Sequence, residues 1–207
     1  MSGAKLFIPE GIYEELVNII GQWKILDVQT LKNLCSHKLK TPNLLHKVRK
    51  LEEAGFIKGT KKGLQKKHVY LTNKGIRYTR YDETYEVCDE IVSHDIVTGK
   101  VLRELLTFEN FINGCMFHQV REDKVFPDAE IEGVRDGMTY KLGLEVELTQ
   151  KSSSRVKVKF KRYSLDRRFD YCLFVTNKPT LFKAYKGYLD QMGREIQEGI
   201  VLLLDET

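Results

Sequence analysis

The N-terminal fold is decided by residues 42–59, PNLLHKVRKLEEAGFIKG, and residues 66–75, KKHVYLTNKG. Apolar residues recur at helical spacing in the first segment, which predicts a helix over residues 42–54. Thr41 is predicted to be its N-cap, with Pro42 at the first helical position, and Gly55 is predicted to end it in a left-handed conformation. The predicted buried stripe of this helix consists of Leu44, Leu45, Val48 and Leu51.

A β-hairpin is predicted to follow this helix. Its strands are expected at residues 56–58 and 68–71, around a tip at residues 59–67 that is rich in glycine and lysine. Helical spacing also occurs at residues 10–21 and 29–35, and Thr72-Asn73 is expected to cap a further helix. Helices followed by a hairpin with a basic tip are typical of the winged helix-turn-helix.

The sequence of residues 8–80 resembles the MarR-like and related winged-helix families, which implies binding to double-stranded DNA. On the predicted recognition helix, Asn43 and His46 are candidates for contacts with base edges, since they lie early in the helix. The candidates for phosphate contacts are Lys47, Arg49 and Lys50 on the helix, and Lys58, Lys61, Lys62, Lys66 and Lys67 on the hairpin. The alternative is a winged helix that binds protein, with its lysines simply solvated.

Charge divides the chain in two. Residues 1–85 contain 16 Lys and Arg against 8 Asp and Glu, whereas residues 86–207 contain 18 against 21. We therefore predict a basic DNA-binding domain over residues 1–85 and a separate domain over residues 86–207. The four cysteines form no CxxC pair, and no signal peptide or membrane-spanning run is evident, so a cytoplasmic protein without membrane contacts is expected.

The second half alternates predicted strands and helices, which indicates an α/β or α+β domain with a mixed sheet flanked by helices. Strands are expected at residues 114–121, 141–148, 170–176 and 200–204, and helices at residues 96–106, 155–165 and 180–193. Glu145 and Glu147 alternate along one strand, so both carboxylates should lie on the same face. Solvent-facing glutamates at alternate strand positions are common, so this spacing alone does not establish a site.

Pro127-Asp128, then Glu145-x-Glu147, then a basic helix resembles the PD-(D/E)xK restriction-endonuclease-like fold. The resemblance implies that Asp128 and Glu145 hold Mg²⁺ and that Glu147 occupies the position usually held by a catalytic lysine. Lys151 or Lys159 could supply the missing cation. The candidate catalytic residues are Asp128, Glu145, Glu147 and Lys159.

A narrower resemblance is to the replication-relaxation family of mobile genetic elements. It rests on His94-Asp95 before a helix, Pro127-Asp128-Ala129, Glu145-Val146-Glu147 and the pair Lys159 and Tyr163. This resemblance implies a role in replication, relaxation or mobilisation of plasmid or transposon DNA, with a relaxase, replication or transposition protein as partner. Taken alone, His94 is better explained as a capping or packing residue.

Two other functions fit the sequence. One is an active Mg²⁺-dependent DNA endonuclease. The other is a winged-helix transcriptional regulator whose second domain dimerises or senses a ligand, and a homodimer fits any of these functions.

Overall fold

The computed structural model describes residues 7–61, 66–81, 91–118 and 126–205. The predicted α+β class is confirmed, because helices accompany both an antiparallel sheet and a mixed sheet. The chain divides into two compact units, the first extending to Val92 and taking in His118, the second beginning at Ser93. The boundary predicted between residues 85 and 86 falls outside the described residues.

The first unit places helices around a small antiparallel sheet with strand order β1-β3-β2. Its elements are α1 (Ile12–Trp23), β1 (Ile25–Asp27), α2 (Val28–Cys35), α3 (Thr41–Glu53), β2 (Ile57–Thr60), β3 (His68–Leu71) and α4 (Asn73–Ile76). The hairpin strands β2 and β3 pair from Ile57 with Leu71 to Thr60 with His68. β1 adds to the free edge of β3 through Ile25 and Tyr70.

Side-chain caps fix where two of these helices begin. Asp27 accepts hydrogen bonds from the backbone N–H groups of Gln29 and Thr30 and so starts α2. Thr72 accepts from the N–H of Gly75 and starts α4, as its sequence predicts. Gly55 has a φ of 76°, the left-handed conformation expected after α3.

Two predictions about α3 are wrong. The N-cap is Lys40, and Thr41 is the first helical residue, so the threonine side chain caps nothing. Leu45 is 49% exposed and does not belong to the buried stripe, whereas Leu44, Val48 and Leu51 are buried. These three residues follow i, i+4, i+7 spacing, and Leu45 lies about 100° around the helix from Leu44.

The second unit is built on a mixed sheet with strand order β4-β5-β6-β7-β8. Its elements are α5 (Val92–Leu105), β4 (Phe111–Met116), β5 (Ala129–Arg135), β6 (Met138–Val146), α6 (Ser153–Ser164), β7 (Tyr171–Thr176), α7 (Pro179–Leu189), α8 (Arg194–Gly199) and β8 (Ile200–Leu204). Strands β4, β5 and β6 pair antiparallel, whereas β6, β7 and β8 pair parallel. The first strand ends at Met116, so the prediction that it reaches residue 118 is wrong, and residues 119–121 lie outside the described residues.

A tight turn joins β5 to β6 and sets their register. Asp136 and Gly137 both have positive φ, 53° and 76°, as a two-residue type I′ turn requires. From this turn the strands pair back to Ala129 opposite Leu144. The register therefore fixes which residues lie next to each other at the open end of the hairpin, where the pairing of the two strands stops.

Helix α6 packs on the mixed sheet through an aromatic core. Phe160 stands edge-on to Phe174 of β7 with ring centroids 4.8 Å apart, and Val156 and Tyr163 are buried beside it. These are the three stripe residues that the sequence predicts. Ser152 caps the helix by accepting from the N–H of Arg155, so α6 begins at Ser153, two residues before its predicted start. None of the described helices is both long and apolar enough to cross a lipid bilayer.

Candidate functional site

The β5–β6 hairpin brings Asp128 close to the end of β6. Ala129 pairs with Leu144, so Asp128, which precedes Ala129, and Glu145, which follows Leu144, lie just beyond the last pair of the two strands. The N–H of Val146 donates a 2.8 Å hydrogen bond to Asp128 Oδ2. Two carboxylates from separate strands are thereby held at one end of the hairpin.

Helix α6 contributes a lysine and a tyrosine one turn apart. The Lys159 ammonium forms a close ion pair with Glu145 Oε1 and lies 3.0 Å from Glu147 Oε1. The Tyr163 hydroxyl lies 2.7 Å from Glu145 Oε2 and 3.0 Å from the carbonyl oxygen of Phe126. The spacing i, i+4 puts both side chains on the same side of the helix, where they engage the two oxygens of one carboxylate.

Glu147 is buried and holds two lysines. Its side chain is 2% exposed, and the Lys151 ammonium lies 2.7 Å from its carboxylate, beside that of Lys159. The backbone N–H of Glu147 donates to the carbonyl of Val175, which ties the end of β6 to β7. Of the two lysines proposed to replace the missing cation, both therefore contact Glu147, but Lys159 also contacts Glu145.

His94 also lies at this site, although it is not among the candidate site residues predicted from the sequence. It belongs to the first turn of α5 and does not precede the helix. Its Nε2 lies 2.8 Å from the carbonyl oxygen of Val146 and 3.5 Å from Asp128 Oδ2. The His94-Asp95 motif is the one signal in the sequence that points to this position, since 52 residues separate His94 from Val146.

Burial and mutual repulsion shape the electrostatics of these carboxylates. Burial and the negative charge of Asp128 raise the pKa of Glu145 to about 8, despite the lowering effect of Lys159. Burial also raises the pKa of Asp128 above its ordinary value, against the lowering effect of His94. Burial lowers the pKa of Lys159, but the carboxylates of Glu145 and Glu147 outweigh it and raise that pKa above its ordinary value. Lys159 is therefore protonated at neutral pH.

The site has a buried layer and an accessible layer. Glu145 and Glu147 have side chains only 5% and 2% exposed, whereas those of Asp128 and Lys159 are 24% and 19% exposed. His94 and Lys151 are accessible to a similar degree. A ligand that enters the site would therefore meet the accessible layer first.

The donor chemistry at Asp128 and Glu145 suits a divalent cation. Both offer hard carboxylate oxygens, and a shared divalent cation would favour the ionised form of both groups, against the rise in the pKa of Glu145. Among the described residues, no three or more His, Cys, Asp or Glu side chains are arranged to hold a metal ion. Mg²⁺ is often bound by one or two carboxylates together with substrate phosphates, so a two-carboxylate site fits this ion.

The candidate DNA-binding residues of α3 lie on its solvent side. Asn43 and His46 are exposed, as is Arg49, which forms a 3.0 Å ion pair with Glu53. The ammonium groups of two lysines cover aromatic rings. Lys47 lies 4.4 Å from the ring centroid of Tyr13, and Lys50 lies 4.9 Å from that of Phe7.

The hairpin lysines differ in their availability. Lys58, Lys61 and Lys66 are exposed, whereas Lys67 forms a 2.6 Å ion pair with Glu52. Lys62, the remaining predicted contact, lies outside the described residues. Of the hairpin lysines that the structure describes, three are therefore turned to solvent.

Comparison with known proteins does not assign this chain to a family. No protein-family model matches the chain. No curated protein matches it either. Among solved structures, restriction endonuclease FokI is similar at 12% identity and a TM-score of 0.39, with 92% of this chain and 42% of FokI covered. The chain thus spans about two fifths of the length of FokI, and a likeness this low assigns neither a family nor a function.

Proposed function

We propose that this chain is a DNA-binding protein of a DNA-processing system, in which a winged helix-turn-helix delivers a nuclease-like unit to DNA. One observation carries the proposal. The short motifs between residues 94 and 163 meet at one site. There, Lys159 and Tyr163 contact Glu145, and His94 lies 3.5 Å from the Asp128 carboxylate. Solvated glutamates on a sheet surface would not be buried against a lysine and a tyrosine, with a histidine beside the neighbouring aspartate.

The winged-helix assignment of the first unit is supported by its element order. Three helices precede a hairpin, the third helix exposes Asn43, His46 and Arg49, and the hairpin exposes Lys58, Lys61 and Lys66. In a winged helix-turn-helix these are the elements that enter the major groove and reach the phosphates. We propose the same roles here.

The site in the second unit is suited to hydrolysis of a phosphodiester. In this reaction a water oxygen bonds to phosphorus, the phosphorus–oxygen bond of the leaving group breaks, and the leaving oxygen takes a proton. Asp128 and Glu145 would hold Mg²⁺, which supplies Lewis-acid polarisation of the phosphate when bound. The protonated Lys159 would donate hydrogen bonds to a non-bridging phosphate oxygen and stabilise its developing negative charge. Glu147 would position Lys159 and Lys151 without touching the substrate.

The biological setting that we propose is replication, relaxation or mobilisation of a mobile genetic element, with a relaxase, replication or transposition protein as partner. The support is the motif set His94-Asp95, Pro127-Asp128-Ala129, Glu145-Val146-Glu147 and Lys159 with Tyr163. A motif held in one place by packing is stronger support than the same residues counted along a sequence.

Plasmid nicking tests the nuclease proposal. Supercoiled plasmid is incubated with the full chain and Mg²⁺ or Mn²⁺, and the nicked fraction is followed on a gel. We expect nicking by the wild type and its loss in Asp128→Ala, Glu145→Ala and Lys159→Met. Glu195→Ala, which removes an exposed carboxylate from α8, should keep the wild-type rate.

Absence of nicking by the wild type with every divalent metal tried would contradict the nuclease proposal. Binding of the same protein to one DNA sequence would then favour the transcriptional regulator. Equal nicking by the wild type and Lys159→Met would contradict the role given to the lysine.

A further inference from the structure

In the second half of the chain, one short segment has a strong excess of positive charge. Residues 151–168 contain eight Lys and Arg and one acidic residue. The rest of residues 86–207 contains 10 basic and 20 acidic residues. A polyanion approaching the second unit would therefore be attracted to this segment and repelled by the remainder.

Most of that segment is α6, and its basic residues follow two sides of the helix. Arg155, Lys159 and Arg162 are spaced i, i+4, i+7 and form one row. Lys157 and Lys161 lie on the opposite side of the buried stripe, where Lys157 donates a 2.7 Å hydrogen bond to Gln191. The first row is the one that includes the site lysine.

Arg155 and Arg162 are both exposed, and no carboxylate among the described residues pairs with either guanidinium. Several other exposed arginines have such partners: Arg49 pairs with Glu53, Arg168 with Asp166 and Arg194 with Glu198. Instead, their neighbour in the row, Lys159, is also basic, and its charge is already matched by Glu145 and Glu147, so it offers neither arginine a counter-charge. The planar guanidinium fork matches a phosphate group better than an ammonium does.

We propose that Arg155 and Arg162 bind the phosphate backbone of duplex DNA on either side of Lys159. The inference rests on the proposed function and extends it, because it gives the second unit a DNA contact of its own. The two arginines are separated by about 10 Å along the helix axis, at 1.5 Å per residue. That length spans roughly three phosphates of one strand, at 3.4 Å each along the duplex axis. The row would place the middle phosphate at Lys159.

The test is the salt dependence of DNA binding by the full chain. Binding to a fluorescent duplex is measured by anisotropy at several salt concentrations, for the wild type and for the double variant Arg155→Gln/Arg162→Gln. The control is Lys161→Gln/Lys186→Gln, which removes the same charge from exposed positions on α6 and α7 outside the row. We expect the slope of log K against log salt to fall in magnitude by about 2 in the arginine variant, at about 0.9 per phosphate contact, and to stay unchanged in the control.

A second variant separates phosphate recognition from bulk charge. Arg155→Lys/Arg162→Lys keeps the charge, so it should retain the wild-type slope while weakening binding several-fold through loss of the bidentate contacts. Circular dichroism melting should show all these surface variants folded.

Wild-type binding with the same slope in the arginine variant and the control would overturn the inference while leaving the proposed function standing. Absence of DNA binding by the wild type would overturn both.

Discussion

Lys159 is the residue on which the candidate site depends, because it is the cation between two buried carboxylates. Removing one member of a buried charged group leaves the others desolvated and uncompensated, which costs far more than losing a surface ion pair. Glu145 and Glu147 are each at most 5% exposed, so water cannot replace the ammonium easily. The same residue would then be needed both for folding and for chemistry.

We predict that Lys159→Met lowers the free energy of unfolding by about 3 kcal/mol, the size expected when a buried charge loses its partner. Urea denaturation followed by far-UV circular dichroism measures it, and the transition of the second unit is identified as the one that Trp23 fluorescence does not report. Lys161→Met is the matched control, since it makes the same change on the exposed side of α6 and should alter stability by less than about 0.5 kcal/mol. Equal stability of the two variants would show that Lys159 is not needed to compensate the glutamates.

The sequence predicts only part of this site. Strand alternation correctly puts Glu145 and Glu147 on one face, and Lys159 meets both of them in the structure. The contact of Tyr163 with Glu145 is not predictable from the helical stripe, which accounts only for its burial. His94 was missed for a related reason, because periodicity describes one element at a time and contains no information about packing between elements.

At the scale of elements, the hairpin of the first unit carries the clearest DNA prediction. Lys58, Lys61 and Lys66 are exposed, whereas Lys67 is held by Glu52. Changing the three exposed lysines to Gln should reduce the salt slope of DNA binding by about 2 to 3, at about 0.9 per phosphate contact. Lys67→Gln should have a smaller effect, because its charge is already partly neutralised in the protein.

Anisotropy titrations at several salt concentrations measure these slopes. A triple variant with the wild-type slope would mean that the hairpin does not touch phosphate. A larger effect from Lys67 alone than from the other three would mean that the ion pair with Glu52 opens on binding.

The junction between the hairpin and α4 depends on a close backbone approach. A Cβ added at Gly75 would lie 2.0 Å from the carbonyl oxygen of Phe56, which also accepts a hydrogen bond from the N–H of Thr72. We therefore predict that Gly75→Ala destabilises the first unit by about 1–3 kcal/mol, the usual cost of overpacking. Thermal unfolding monitored by tryptophan fluorescence tests this, as Trp23 lies in the same unit.

Gly187→Ala makes the same chemical change as Gly75→Ala, but we expect it to increase stability. Gly187 lies within α7, and a Cβ there would meet nothing within 4 Å outside its own helix. Alanine should therefore stabilise the helix by about 0.5–1 kcal/mol. Destabilisation by both substitutions would contradict the role of close packing at Gly75.

Helix and strand positions were largely predictable, because buried residues recur at 3.6- or 2-residue periods. The wrong predictions concern neighbouring residues, either of which could have been buried or could have been the N-cap. Leu44 and Leu45 are both apolar, and only the packing of α3 decides that Leu44 is buried and Leu45 exposed. The N-cap is Lys40 and not Thr41, because α3 starts one residue earlier than the sequence indicates. Pro42 still fits within the first turn of the helix.

At the scale of the whole molecule, the two units require separate probes of stability. A single free energy of unfolding is defined only for a cooperative two-state transition, and two compact units need not unfold together. Trp23 is the one tryptophan of the chain and is buried in α1 of the first unit. Its fluorescence therefore reports the first unit, whereas far-UV circular dichroism reports both.

His118 makes the stability of the first unit depend on pH. It is buried, its Nε2–H donates to the carbonyl of Gly21, and its ring stacks on Tyr81. Burial, together with the positive charge of Lys24, lowers the pKa of His118 to about 4 from 6.5, although the Gly21 contact opposes the shift. The unfolded chain therefore binds a proton at a higher pH than the folded unit does, so stability is complete above pH 6.5 and is lost as the pH falls toward 4.

We predict that the free energy of unfolding of the first unit falls by up to about 3 kcal/mol across that range, at 1.36 kcal/mol per pKa unit. Urea titrations followed by Trp23 fluorescence at pH values from 7 to 4 measure the loss. Other groups titrate over the same range, so the decisive comparison is with His118→Gln, which cannot take up this proton and should show a shallower pH dependence from a lower starting stability. Parallel curves for the two proteins would mean that the pKa of His118 does not differ between the folded and unfolded states, which would contradict the prediction.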